Sequence, residues 1–264
     1  MSAKTEAKLH HEIAGEGSPV VLVHEGIADS RMWEPQWTSF PKSHRTVRYD
    51  MRGFGNSELT PGTFSNARDL VGLLERLDLG PAALVGVSLG GRVGLEVAVA
   101  RPELVSALVL VAPGLPGHDW SEETQAGWAE EEAALARGDL DAAVEVNLRM
   151  WVDGPGRSPD EVDAGVREHV AIMQRRAFEL QLPLADAVEE ELLVPDLAER
   201  LSEVAVPTIV IVGSEDRPEM HEIGDKLAAA IPNAQRATIE GVAHAPNLER
   251  PGEFDRLVLE FLAA

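Results

Sequence analysis

Short runs of consecutive apolar residues, many of them β-branched, recur along this chain with helical patterns between them. That alternation limits the possible folds more than any other feature. Val20-Val21-Leu22-Val23 is one such run, closed by His24 and a glycine-containing turn. Thr46-Val47-Arg48-Tyr49, Ala83-Leu84-Val85-Gly86-Val87, Ala107-Leu108-Val109-Leu110-Val111 and Thr208-Ile209-Val210-Ile211-Val212 follow. Strands that are apolar throughout must be covered on both faces, which is the situation of parallel strands joined by crossover helices. Asn66 to Leu79 reads as one such helix, because Leu70, Leu73, Leu74 and Leu77 recur at helical spacing. Gly91 to Ala100 reads as the next, ended by Arg101-Pro102. The expectation is an α/β fold with a mostly parallel sheet flanked by helices.

The middle of the chain departs from this pattern. After Ala112-Pro113-Gly114 the strand signal stops until about Val206. Acidic, alanine-rich helical stretches fill the interval, at Ser121 to Arg137 and Asp139 to Trp151. Gly154-Pro155-Gly156 and Ser158-Pro159 interrupt them, and Pro159-Asp160-Glu161 opens another helix running to about Leu180. Trp120, Trp128 and Trp151 fall in this block. The expected organisation is a core made of residues 1–114 and 204–264, with residues 115–203 inserted as a helical cap.

Composition removes several classes of function. A chain of 264 residues, 44% of them hydrophobic, can bury one sizeable core. It has no cysteine, which rules out disulfides, thiolate catalysis, iron–sulfur clusters and cysteine-based zinc sites. A formal net charge of -22 would repel a phosphate backbone, so no nucleic-acid partner is expected. The start, Met1-Ser2-Ala3-Lys4-Thr5-Glu6-Ala7-Lys8, has no apolar core like that of a signal peptide. No apolar run approaches the roughly 18 residues of a membrane span. The expectation is a cytoplasmic monomer or homodimer with a small-molecule substrate and no membrane partner.

The chemistry begins at Gly86-Val87-Ser88-Leu89-Gly90, a G-x-S-x-G pentapeptide directly after an apolar strand and directly before a helix. A serine on so sharp a strand-to-helix turn projects its hydroxyl outward, and glycines two residues either side leave room for the backbone to cross. The helix N-terminus also favours developing negative charge. A serine hydroxyl is a weak nucleophile and needs a base. His244, in the loop Gly241-Val242-Ala243-His244-Ala245-Pro246 before the last helix, stands where that base is expected. The acid that orients it should lie between them in chain order. Asp216 fits, in Gly213-Ser214-Glu215-Asp216-Arg217-Pro218, with Glu215 as the competitor one residue earlier. The oxyanion donors should be the amides of Leu89 and Gly26, the latter in the loop His24 to Trp33.

These motifs together resemble the cofactor-independent serine α/β-hydrolases, above all the group of 3-oxoadipate enol-lactonases, small esterases and cofactor-free haloperoxidases. The resemblance runs through Val21 to Trp33, Tyr49 to Ser57, Gly86 to Gly91, Arg101 to Val105 with Leu108-Val109-Leu110, Gly213 to Asp216, Gly241 to His244 and Glu249-Arg250-Pro251. It implies an α/β-hydrolase fold with an inserted cap. It also implies that Asp50 is structural and His24 a scaffold residue. Ser88 excludes the relatives with an aspartate nucleophile, the haloalkane dehalogenases and epoxide hydrolases. No histidine-rich ligand spacing points to a metal, and no G-x-G-x-x-G or phosphate-loop pattern to a nucleotide, so no metal and no cofactor are expected.

The implied reaction is hydrolysis of a small carboxylic ester or lactone through an acyl-enzyme on Ser88. A biosynthetic catalyst that cyclises, decarboxylates or cleaves a C–C bond with the same pocket is the alternative, and a non-catalytic small-ligand receptor the third reading. Glu25, Ile27, Trp128 and Trp151 are the candidate substrate-binding residues. Glu25 replaces the glycine that usually follows the loop histidine. It either turns outward to pair with Arg31 or Arg52, or points inward with its pKa raised by burial and meets a polar substrate group.

Overall fold

In the computed structural model, residues 8–264 are described. The reading of the polar start falls, up to Ala7, outside the described residues. The strands are β1 (His11–Ala14), β2 (Pro19–Val23), β3 (Arg45–Tyr49), β4 (Gly62–Phe64), β5 (Ala82–Val87), β6 (Val105–Val111), β7 (Val188–Glu190), β8 (Thr208–Gly213) and β9 (Ala234–Ile239). The α-helices are α1 (Glu34–Ser39), α2 (Asn66–Arg76), α3 (Leu89–Ala100), α4 (Glu122–Ala136), α5 (Leu140–Asn147), α6 (Ala164–Gln181), α7 (Pro218–Ala230), α8 (Pro246–Glu249) and α9 (Pro251–Leu262). No helix among the described residues is long and apolar enough to cross a membrane.

Seven strands form one sheet in the order β1-β3-β2-β5-β6-β8-β9. Only β1 runs antiparallel, against β3; every other pairing in this sheet is parallel. Its central strands are apolar throughout because both faces are covered. Val21 and Val23 enter one core with Leu70, Leu73 and Leu74 of α2 and Ile223 and Leu227 of α7. Val20 and Leu22 enter the other with Trp33, Phe40 and Phe254. The same alternation divides Leu108 and Leu110 from Val109 and Val111, as the two-residue period of a strand requires.

This topology creates the crevice. The chain leaves β2 toward β3 on one side of the sheet and later returns to lay β5 on the other. The loops after β2 and β5 therefore part at the carboxyl ends of adjacent strands, where open α/β sheets bind ligands. The first carries Glu25 and Gly26; the second is Ser88 itself.

The chain between β6 and β8 builds α4, α5 and α6, with three differences from the sequence reading. The stretch expected as one helix to Trp151 ends as α5 at Asn147 and continues as a wider π-helical turn over Leu148–Asp153. Arg157 holds the end of that turn, donating to the carbonyls of Val152 and Asp153. The helix expected from Pro159 begins at Ala164 instead, because the Asp163 carboxylate caps the amides of Gly165 and Val166 at 2.8 and 3.2 Å. The block also contains a strand, β7, paired in parallel with β4 from Gly62↔Val188 to Phe64↔Glu190. Three residues rich in glutamate have no apolar strand signature, so this pairing was invisible in the sequence. The buried carboxylate of Glu96 on α3 then receives the amides of Leu193 and Val194, fixing the return toward the sheet.

Candidate active site

Ser88 sits between β5 and α3 with φ +52° and ψ -111°, a left-handed backbone that a non-glycine residue adopts only when its surroundings impose it. They impose it from several sides. The Ser88 amide donates to Val111 O at 2.8 Å, and its carbonyl accepts from Arg92 N at 3.0 Å and Gly114 N at 3.1 Å. A Cβ on Gly86 would run into the carbonyl of Gly90, and one on Gly90 into that of Val23. The flanking glycines are therefore needed for close approach.

Leu89 opens α3, so its amide is among those a helix leaves without an internal partner. Gly26 lies beside it: a Cβ there would stand 3.8 Å from Leu89 Cδ2. His24 holds the Gly26 loop from behind. Its Nδ1 lies 2.7 Å from Glu25 O, and its Nε2 accepts from Met51 N at 2.9 Å. Burial lowers its pKa despite the charges of Asp50 and Asp29, which matches a neutral scaffold residue. Asp50 is equally occupied with structure, accepting the amides of Ser30 and Asn56 at 2.8 Å each.

His244 Nδ1 lies 2.9 Å from Asp216 Oδ2 and 3.3 Å from Oδ1, and both side chains are buried. Glu215, the competing acid, is turned away and accepts from Ser214 Oγ at 2.9 Å. The histidine loop is braced twice. Its amide donates to Trp151 O at 3.3 Å, and Trp151 packs its ring against the imidazole at 4.7 Å. Glu249 accepts Ala243 N at 2.9 Å while paired with Arg157. Burial lowers the His244 pKa, but the charge and hydrogen bond of Asp216, with the charge of Glu25, outweigh it and the net direction is upward.

Ser88, His244, Gly26, Ile27 and Glu25 all line one cavity of about 320 Å³. Trp128 and Trp151 line it from α4 and the π-helical turn. Of the residues expected at the site, Asp216 and Leu89 do not line this cavity; Asp216 is hydrogen-bonded to His244, and Leu89 lies beside Gly26. Glu25 resolves to the inward alternative. It is 1% exposed, and its proposed outward partners are engaged elsewhere, Arg31 with Asp29 and Arg52 with Asp69. Burial, helped by the charge of Asp216 and opposed by that of His244, pushes its carboxyl up to about 7.

Sequence reasoning missed Glu131, Asn147, Gln174, Phe178 and Gln181, which complete the lining. One signal was available: Gln174, Phe178 and Gln181 are spaced i, i+4, i+7 and share a face of α6. No trio of His, Asp or Glu among the described residues converges as a metal-ligand set.

A serine on a strained strand-to-helix turn, at the crevice of a doubly covered parallel sheet and beside a histidine–carboxylate pair, defines a hydrolase-type α/β architecture. The chain belongs to the alpha/beta hydrolase family, whose model matches residues 20–257. It is similar to a relative named as a carbamate hydrolase, RutD, from Azorhizobium caulinodans, at 27% identity over 97% of this chain and 95% of that protein. It is also similar to a 2-hydroxy-6-oxononadienedioate/2-hydroxy-6-oxononatrienedioate hydrolase from Burkholderia vietnamiensis, at 28% identity over 98% of this chain and 92% of the relative. Among solved structures, a thermophilic esterase from Thermogutta terrifontis superposes with a TM-score of 0.80 at 26% identity, covering 99% of this chain and 96% of that one.

Proposed function

We propose that this protein hydrolyses a small carboxylic ester or lactone by transferring the acyl group to Ser88 and then to water. The supporting observation is the strained Ser88 sharing a cavity with a His244 whose far ring nitrogen is held by Asp216. Ser88 Oγ attacks the carbonyl while His244 takes its proton, and Asp216 stabilises the resulting imidazolium. The amides of Leu89 and Gly26 receive the oxyanion. The leaving alcohol takes the proton from His244, which then activates water against the acyl-enzyme. Residues 115–203 act as the cap that selects the acyl group, through Trp128, Trp151 and Phe178.

An ester or lactone lacking a free carboxylate suits the cavity better than a dioate such as the one in the Burkholderia relative's name. A dioate would bring further negative charge against Glu25 and Glu131. The test is a quenched reaction with p-nitrophenyl acetate, read by intact-protein and peptide mass. An acetyl adduct on the peptide containing Ser88 is expected. Steady turnover with the adduct on another residue, or with none under burst conditions, contradicts the reading.

The pH dependence follows from His244. Only the neutral ring can accept the serine proton, so kcat/KM falls as pH drops through the histidine pKa. An unperturbed histidine would place that midpoint near ~6.5, at about 6–7 in practice. Here Asp216 and Glu25 raise it, so the acid limb lies above the ordinary value. Glu25 titrates in the same range, and the apparent midpoint belongs to both groups. A kcat/KM profile flat down to about pH 5 contradicts a histidine base.

A further inference from the structure

The polar lining of the cavity is unbalanced. Both carboxylate oxygens of Glu25 are buried without a hydrogen-bond partner, and so is Oε1 of Gln174. Glu131 adds a second carboxylate, which receives Asn147 Nδ2 at 2.9 Å. No lysine or arginine among the described residues lines this space. Burying an unpartnered carboxyl group costs free energy, and here no hydrogen bond inside the protein offsets it. The remaining walls are the rings of Trp128, Trp151 and Phe178. Unsatisfied acceptors in a cavity walled by aromatic rings, with no lysine or arginine to neutralise them, form the complement of a ligand that is positively charged and rich in N–H donors.

We infer that the acyl group this site accepts carries a protonated amine, received by Glu25 and faced by the aromatic walls. The inference rests on the hydrolase reading, since it names the substrate class of that same site. It also removes a difficulty in the chemistry. Glu25 directly precedes the oxyanion donor Gly26, so its negative charge opposes the oxyanion. A substrate ammonium beside Glu25 cancels that opposition and adds a cation where negative charge develops. The preference therefore shows in kcat as well as in KM. An arriving ammonium draws Glu25, otherwise pushed up to about 7, into its ionised form.

The experiment compares isosteric benzyl esters in which an ammonium replaces a methyl group: glycine against propionate, β-alanine against butyrate, 4-aminobutyrate against pentanoate. Each kcat/KM is divided by the ester's uncatalysed hydrolysis rate, which removes the amine's own activation of the carbonyl. At least one amino ester is expected to exceed its isostere by about tenfold or more, the scale of one charge-assisted hydrogen bond. Glu25→Gln is expected to erase that advantage and raise hydrolysis of the uncharged esters. Amino esters at or below their isosteres, with neutral turnover present, overturn the inference and leave the hydrolase reading intact. Absent turnover of every ester and absent fluorophosphonate labelling overturn the hydrolase reading instead. A measurement independent of catalysis and of any variant then decides the charge preference: tryptophan fluorescence titrated with n-butylammonium and with butyrate. Tighter binding of the cation supports the inference, and equal or weaker binding overturns it.

Discussion

Ser88→Ala is expected to lower kcat for p-nitrophenyl esters by about 10⁵–10⁶-fold, as loss of the nucleophile does when nucleophile and base act as a unit. It should also abolish labelling by a fluorophosphonate probe. The backbone requirement is the same for alanine as for serine, and the turn is held by the Ser88 amide and carbonyl rather than by its hydroxyl. The variant should therefore fold, with an unchanged far-UV circular dichroism spectrum. Full labelling of the folded alanine variant would place the nucleophile elsewhere.

Asp216→Asn is expected to cost about 10⁴-fold in kcat, the loss seen when a serine-protease aspartate is made neutral. Asp216 accepts from His244 Nδ1, which leaves the other nitrogen free to take a proton. An amide there can present its NH₂ to Nδ1 and hold the wrong tautomer, with the fold intact. Glu215→Gln serves as the control. Its carboxylate contacts Ser214, so a loss within a few-fold is expected. If Glu215→Gln were the damaging change, the acid would be the neighbouring residue.

The parts of the site legible in the sequence were those tied to backbone geometry. Ser88 was readable because the pentapeptide demands a strand before it and a helix after it, and β5 and α3 supply both. Asp216 was the sequence's choice of acid with Glu215 as its competitor, since both follow β8 and only the path of the turn decides which faces His244. The direction of Glu25 was hidden. Its two candidate cations are bound by Asp29 and Asp69, and those pairings depend on long-range folding in the case of Arg52. The cavity wall was the least readable part. Glu131, Asn147 and Gln174 look like ordinary polar positions on helices until the helices dock over Ser88. Trp151 was placed on a regular helix, yet the π-helical turn carries it onto the imidazole.

The left-handed backbone at Ser88 also bears on heat tolerance. A non-glycine residue held there costs of order 1–3 kcal/mol. A folded domain has a net stability of only about 5–15 kcal/mol. For a chain of this size each kcal/mol is worth roughly 2–4 °C at the midpoint of thermal unfolding. Ser88→Gly is therefore expected to unfold a few degrees later, the relieved strain being reduced by the roughly 0.5–1 kcal/mol of extra chain entropy that glycine loses on folding, so the backbone at position 88 sets part of the thermal ceiling.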